Sequence, residues 1–251
     1  MSSWSQRRKS VYALVAVIVV IGAIGVPGFL VLYHPPTCTD GVMNGNEQGV
    51  DCGGSCERLC QSSFLAPSLA WTRFEQVAPG RYNLAAYIIN PNIAGGASAV
   101  PYHMLAFDKE GRLITEVTGA VTLPPHRNTI AFQGAIDMGK RIPAKILFEF
   151  TAPPEWRAQK DGLSALAIGD KKYIEDELGS SLTVTLKNTS VYRLVNVGIY
   201  TVLYDKDGNA LGFSKTVVDE IPAQGATLAP FTWPIDRAGK VISIEILPVQ
   251  E

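Results

Sequence analysis

Val202-Leu203-Tyr204-Asp205-Lys206-Asp207-Gly208 reads as a strand running into a tight turn, and Leu105-Ala106-Phe107-Asp108-Lys109-Glu110-Gly111 repeats that reading 97 residues earlier. Three other landmarks keep the same register. Asn90 after Tyr87-Ile88-Ile89 matches Asn188 after Val184-Thr185-Leu186-Lys187, 98 residues on. Leu123-Pro124 matches Ile221-Pro222 at 98, and Ile136-Asp137 matches Ile235-Asp236 at 99. Chance similarity does not hold step over four landmarks, so the chain carries a duplicated domain.

Each copy has the pattern of a β-sandwich. Leu182, Val184 and Leu186 alternate with Thr183, Thr185 and Lys187, as in a strand with one buried and one wet face. Val197, Ile199, Thr201 and Leu203 share one face of the next strand. The Asp-x-x-Gly turns predict hairpins, because glycine supplies positive φ and aspartate caps the turn. Pro124-Pro125 and Pro222 end strands, since proline cannot donate to a ladder. The fold class expected is mainly β: two tandem immunoglobulin-like β-sandwiches, at 63–154 and 155–251, behind one N-terminal transmembrane α-helix and a small disulfide-rich segment. Arg157 to Tyr173 is expected to link the copies as solvated chain, including Lys171-Lys172. Trp156 is expected to plug the space between the domains, and Gly95-Gly96 to lie in a flexible turn.

The second copy resembles the FxLYD family of bacterial and archaeal immunoglobulin-like domains. Leu203-Tyr204-Asp205 supplies the LYD, with Thr201 where that motif has Phe. Asn188-Thr189-Ser190 is similar to its strand-ending turn, and Phe231-Thr232-Trp233-Pro234 to its late strand. The first copy is more divergent, with Ala106-Phe107-Asp108 in place of LYD. The water-stress sandwich of plant late-embryogenesis proteins is a related shape. The resemblance implies a surface-exposed interaction or spacer domain and names no ligand.

Upstream, all four cysteines fall together: Cys38, Cys52, Cys56 and Cys60. In an exported chain such a set reads as disulfides, in any of three pairings; thiolate ligation of zinc is the alternative. Asp40, Asn44, Asn46, Glu47 and Asp51 interleave with Gly41, Gly45 and Gly49. Oxygen ligands on a glycine-rich loop suit Ca²⁺, but the spacing is not that of an EF-hand, and Asp, Asn and Gly equally build turns. The run through Val50-Asp51-Cys52-Gly53-Gly54 resembles a short "DGxxNGxExGVDCGGxC" module of microbial cell-surface proteins, which implies a stalk or spacer over residues 34–62.

Val11 to Tyr33 carries no charge and is long enough to cross a bilayer, which takes about 20 apolar residues. Arg7, Arg8 and Lys9 before it predict a cytoplasmic tail over 1–10 and export of everything after the helix. Trp4, Tyr12 and Tyr33 suit the interfaces. A cleaved signal peptide would have a shorter apolar core and a small-x-small site, and His34-Pro35-Pro36 is poor for cleavage.

The remaining chemistry is sparse. Charge is balanced, 22 basic against 23 acidic residues, which gives no field for nucleic acid. His34, His103 and His126 lack metal-ligand spacing, and no nucleophile elbow, P-loop or zinc-protease motif occurs. Asn188-Thr189-Ser190 is formally a glycosylation sequon, with a turn as the preferred reading. The expectation is a non-catalytic, membrane-anchored, extracytoplasmic binding or structural module of the cell envelope with a protein or envelope-component partner. The alternative is an accessory subunit assembled through its helix, whose Gly22, Ala23 and Gly25 permit close packing.

Overall fold

The structure is a computed structural model that describes residues 4–33, 35–176, 179–234 and 239–251. His34 and the landmark Ile235-Asp236 lie outside the described residues. Two compact units result, Met1–Cys56 and Glu57–Glu251.

The first unit opens with α1 (Trp4–Val20), a π turn (Ile21–Gly25) and α2 (Val26–Leu32). Arg7–Phe29 is long and apolar enough to cross a membrane by length and composition. Pro27 explains the π turn. It cannot donate to the carbonyl four residues back, and its ring crowds that carbonyl, so the helix widens just ahead of it.

The second unit has thirteen strands among its described residues. The first sandwich contains β1 (Ser68–Ala78), β2 (Arg81–Ile89), β3 (Gly95–Phe107), β4 (Leu113–Leu123), β5 (Asn128–Asp137), β6 (Lys145–Phe150) and the short β7 (Arg157–Ala158). The second contains β8 (Leu166–Asp176), β9 (Gly179–Asn188), β10 (Leu194–Tyr204), β11 (Ala210–Ile221), β12 (Ala226–Trp233) and β13 (Ser243–Gln250). The sheets run β1-β2-β5 and β4-β3-β6 in the first copy, β8-β9-β12 and β11-β10-β13 in the second. Strand for strand the order is the same. The first strand of each copy even slips register at the same place, between Leu69 and Trp71 in β1 and between Ile168 and Lys171 in β8.

The turn and cap chemistry also repeats. Asp108 and Asp205 each accept from two backbone N–H groups of their own turn at 2.8–3.1 Å. Gly111 and Gly208 supply φ of 76° and 77°. Asn90 and Asn188 are both buried. Asn90 donates to the carbonyls of Gly95 and Pro124, and Asn188 to those of Tyr192, Ile221 and Pro222. Each therefore ties the end of one sheet to the proline that ends a strand of the other. A backbone carbonyl buried without such a donor would cost about 1–3 kcal/mol. With its amide so engaged, Asn188 is a structural residue rather than a glycan acceptor.

Each sandwich has its own core. In the first, Leu84, Ala86 and Ile88 of β2 face Met104 and Ala106 of β3. In the second, Leu182, Val184 and Leu186 face Val197, Ile199 and Leu203.

Several expectations are corrected. Trp156 packs in the core of the first sandwich, its ring 5.5 Å from that of Phe64, and does not plug the space between copies. Gly95-Gly96 is not a turn: it opens β3 and pairs with Ala158 and Arg157. A side chain at Gly95 would strike the Phe64 ring. The expected linker is largely strand, since Arg157–Ala158 form β7 and Lys171-Lys172 lie on β8. Lys171 donates to the Ile244 carbonyl at 2.8 Å.

Candidate functional site

Two places gather polar side chains: the Cys-rich loop and the joint between the sandwiches. In the loop, Cys38 and Cys56 form a disulfide with a Cα–Cα distance of 5.7 Å. Cys52 and Cys60 are disulfide-bonded as well, and no free cysteine remains. Closing an 18-residue separation removes about 3 kcal/mol of unfolded-chain entropy, which a segment without a core of its own requires. Gly53 and Gly54 both have positive φ, and a Cβ on Gly54 would drive into the Asn46 carbonyl. That contact explains the glycine pair after Cys52.

The oxygen-bearing residues of the loop hold its backbone. Both Asp51 oxygens accept from Gly41 N–H, at 3.0 and 3.1 Å. Asp40 accepts from Thr37 and Val42 N–H and from the Asn44 amide, and these hydrogen bonds, the Asn44 one foremost, lower its pKa. Glu47 accepts from Asn44 N–H at 3.2 Å, and Asn46 is exposed. Among the described residues the one grouping of three potential ligands is Cys38, Glu47 and Cys56. Its two sulfurs are joined to each other and offer no thiolate for zinc. Asp40, Glu47 and Asp51 thus serve as acceptors for backbone N–H groups that shape the loop.

The joint has no local sequence motif. A third apolar cluster, Ala85, Tyr87, Ile130, Tyr200, Val202, Phe213 and Val249, draws on both sandwiches. The β1-β2-β5 sheet of the first stacks on the β11-β10-β13 sheet of the second, which makes a four-layer body. Trp71 bridges Tyr87 and Phe213 at ring separations of 5.3 and 6.3 Å, and Phe132 meets Phe213 edge-on at 6.2 Å.

Polar contacts fix the alignment. Tyr87 donates to one Glu245 oxygen and Tyr204 to the other, both at 2.8 Å. Burial first, and the Glu245 carboxylate second, push the Tyr87 phenol up to about 12; the same causes raise Tyr204. Glu75, almost fully buried, accepts from the Phe213 N–H at 3.4 Å. A large apolar side chain contributes about 1.5–3 kcal/mol when fully buried. A hydrogen bond to a charged group contributes a comparable amount, about 1.5–3 kcal/mol. The apolar cluster, with several such side chains, is the larger contribution, and the hydroxyl–carboxylate contacts add to it and set register.

Beside the joint a cleft of about 460 Å³ is lined by residues of both copies, among them Tyr102, Gln133, Tyr200, Lys215 and Glu251. Five of its polar residues pair with one another: Gln133 donates to Tyr102, Tyr200 to Glu251, and Lys215 pairs with Glu251. Of the histidines, His103 stands on β3 between Glu116 at 2.9 Å and Glu149 at 3.1 Å, and those two contacts raise its pKa. His126 is exposed in a loop.

No protein-family model matches the chain, and no curated protein matches it.

Proposed function

We propose that the chain is a non-catalytic, membrane-anchored module of the cell envelope that carries its two sandwiches outside the cytoplasm as one rigid presenting body. The observation that carries this reading is the joint. A continuous apolar cluster across two duplicated sandwiches suits a platform or spacer, where tandem domains on a free linker would suit reach. Oxidised cysteines support an exported location, because disulfides persist outside the reducing cytoplasm. The basic cluster before the helix supports the same orientation. The resemblance to FxLYD and to the microbial surface module points the same way. The titratable groups at the joint and in the loop are engaged in caps, clamps and cross-strand pairs, which supports a structural role for them.

The test is protease accessibility of a C-terminal tag in intact cells, with any outer barrier removed in a parallel sample. Digestion before lysis is expected. Protection until lysis in the barrier-free sample overturns the reading.

A second reading has its own observation. The π turn at Ile21–Gly25 contains Gly22, Ala23 and Gly25, and small residues permit close approach of another helix. On this reading the chain is an accessory subunit assembled in the bilayer. Exchange of the helix for an unrelated anchor separates the two: loss of function supports the accessory subunit, and retention supports the presenting module.

A further inference from the structure

The joint pairs unlike faces. It uses the β1-β2-β5 sheet of the first copy and the β11-β10-β13 sheet of the second. Because the copies share one topology, the two sheets left outside, β4-β3-β6 and β8-β9-β12, are the complementary halves of the same kind of joint. Unlike faces that remain free at both ends of a body permit open-ended stacking.

The register allows a residue-by-residue comparison. Tyr200 pairs with Leu247, and Val202 with Phe213, in the joint sheet of the second copy. At the same positions of the first copy, His103 pairs with Glu149, and Leu105 with Glu116. Tyr200, Phe213 and Leu247 thus correspond to His103, Glu116 and Glu149. On the other side, Tyr87 pairs with Ile130 and Ala85 with Phe132. Their counterparts are Thr185 with Leu228 and Thr183 with Pro230. The aromatic residues of the joint occur once per chain, at the internal contact.

We propose that the outer sheets are closed halves of that joint: His103, Glu116 and Glu149 on one, with Thr183, Thr185 and Pro230 on the other, stop a second copy of the chain from extending the stack. Glu116 and Glu149 are exposed, and each lies within hydrogen-bond distance of a His103 ring nitrogen, at 2.9 and 3.1 Å. Docking a sheet on them would strip water from two carboxylates with one imidazole between them, at a cost that apolar contact there does not repay.

The test uses two full-length variants in detergent. His103→Tyr/Glu116→Phe/Glu149→Leu opens one face, and Thr183→Ala/Thr185→Tyr/Pro230→Phe opens the other. Sedimentation velocity should show each variant no more associated than the wild-type chain, and their mixture should form a 1:1 complex with at least a tenfold gain in association. No complex on mixing, with wild-type thermal transitions in both variants, overturns the proposal. So does equal association of the wild-type chain with itself, or of either variant alone. Should a triple variant fail to fold, Glu116→Phe mixed with Thr185→Tyr carries the same test. A weaker complex is expected, and its absence counts against the proposal.

Discussion

Glu245 binds the first sandwich to the second through one carboxylate: Tyr87 donates to its Oε1 and Tyr204 to its Oε2, each at 2.8 Å. Tyr87 also accepts from the Asn128 amide at 2.9 Å, so the clamp extends into β5. Glu245→Ala leaves two part-buried hydroxyls without their acceptor. A loss of about 1–3 kcal/mol is expected in urea unfolding. The Tyr87 phenol should also titrate at lower pH, because the carboxylate that helps hold it near 12 is gone. Ultraviolet titration of the tyrosinates checks this, and an unchanged alkaline midpoint contradicts the clamp.

Phe213 is the hub of the joint, in contact with both Trp71 and Phe132. Phe213→Ala should cost about 3–5 kcal/mol, the usual range for deleting a buried aromatic side chain. The form of the transition is the sharper readout. The wild-type second unit should unfold as one cooperative body, and the variant should separate into two transitions. A single undivided calorimetric peak in the variant would mean that the sandwiches are coupled elsewhere.

Thr201 lies fully buried on the core face of β10, and its hydroxyl has no hydrogen-bond partner. Thr201→Val keeps the shape and removes an unsatisfied polar group. Stabilisation of about 1–2 kcal/mol is expected in chemical denaturation. Destabilisation would reveal a partner for that hydroxyl in solution.

His103 titrates above its ordinary value of 6.5, chiefly through its hydrogen bond to Glu149 and then that to Glu116. A folded-state value above the unfolded one stabilises the protein below the unfolded value. That contribution fades as pH rises from about 6.5 through the folded value. Glu116→Gln/Glu149→Gln should bring the imidazole midpoint back down and flatten this part of the stability profile. Proton NMR of the histidine ring follows it directly, and an unmoved midpoint refutes the assignment.

Gly54→Ala should spoil the Cys-rich loop, since any Cβ there meets the Asn46 carbonyl and the backbone φ is already positive. Non-native disulfide isomers are expected on oxidative refolding, resolved by mass mapping. Gly111→Ala meets open space and should cost only the turn strain.

The duplication, the hairpins, the terminating prolines and the amphipathic β9 were all legible, because each rests on local chemistry within a few residues. Asn90 and Asn188 were visible as landmarks, although their donors to the facing sheet were not. The joint escaped because it depends on which outer face meets which. One signal was available. In β2 and β10 both faces are apolar, Leu84 to Ile88 and Val197 to Leu203, and a sandwich strand buried on both sides has a second neighbour. Trp156 reads in sequence as a plug between the copies because a lone tryptophan beside a linker usually packs, and only the fold shows that the first core receives it. Gly95-Gly96 suggests a turn by composition, whereas Gly95 is set by the Phe64 ring and Gly96 by the Gln159 side chain and Pro125. In the Cys-rich loop the choice between turn and cation was open in sequence, since both employ Asp and Asn beside glycine. The turn role is visible only in the fold, where the N–H donors on Asp40 and Asp51 come from residues as far as ten positions away.

The unlike pairing of sheets also sets how each copy tolerates variation. Val202 and Leu105 occupy one position of the repeat, yet Val202 is fully buried in the joint and Leu105 lies on an outer face. A polar replacement that drift could accept at Leu105 would disrupt the protein at Val202. The same substitution thus carries a different penalty in the two halves, and the positions under a common constraint are those whose contacts repeat: Asn90 and Asn188, and Asp108 and Asp205.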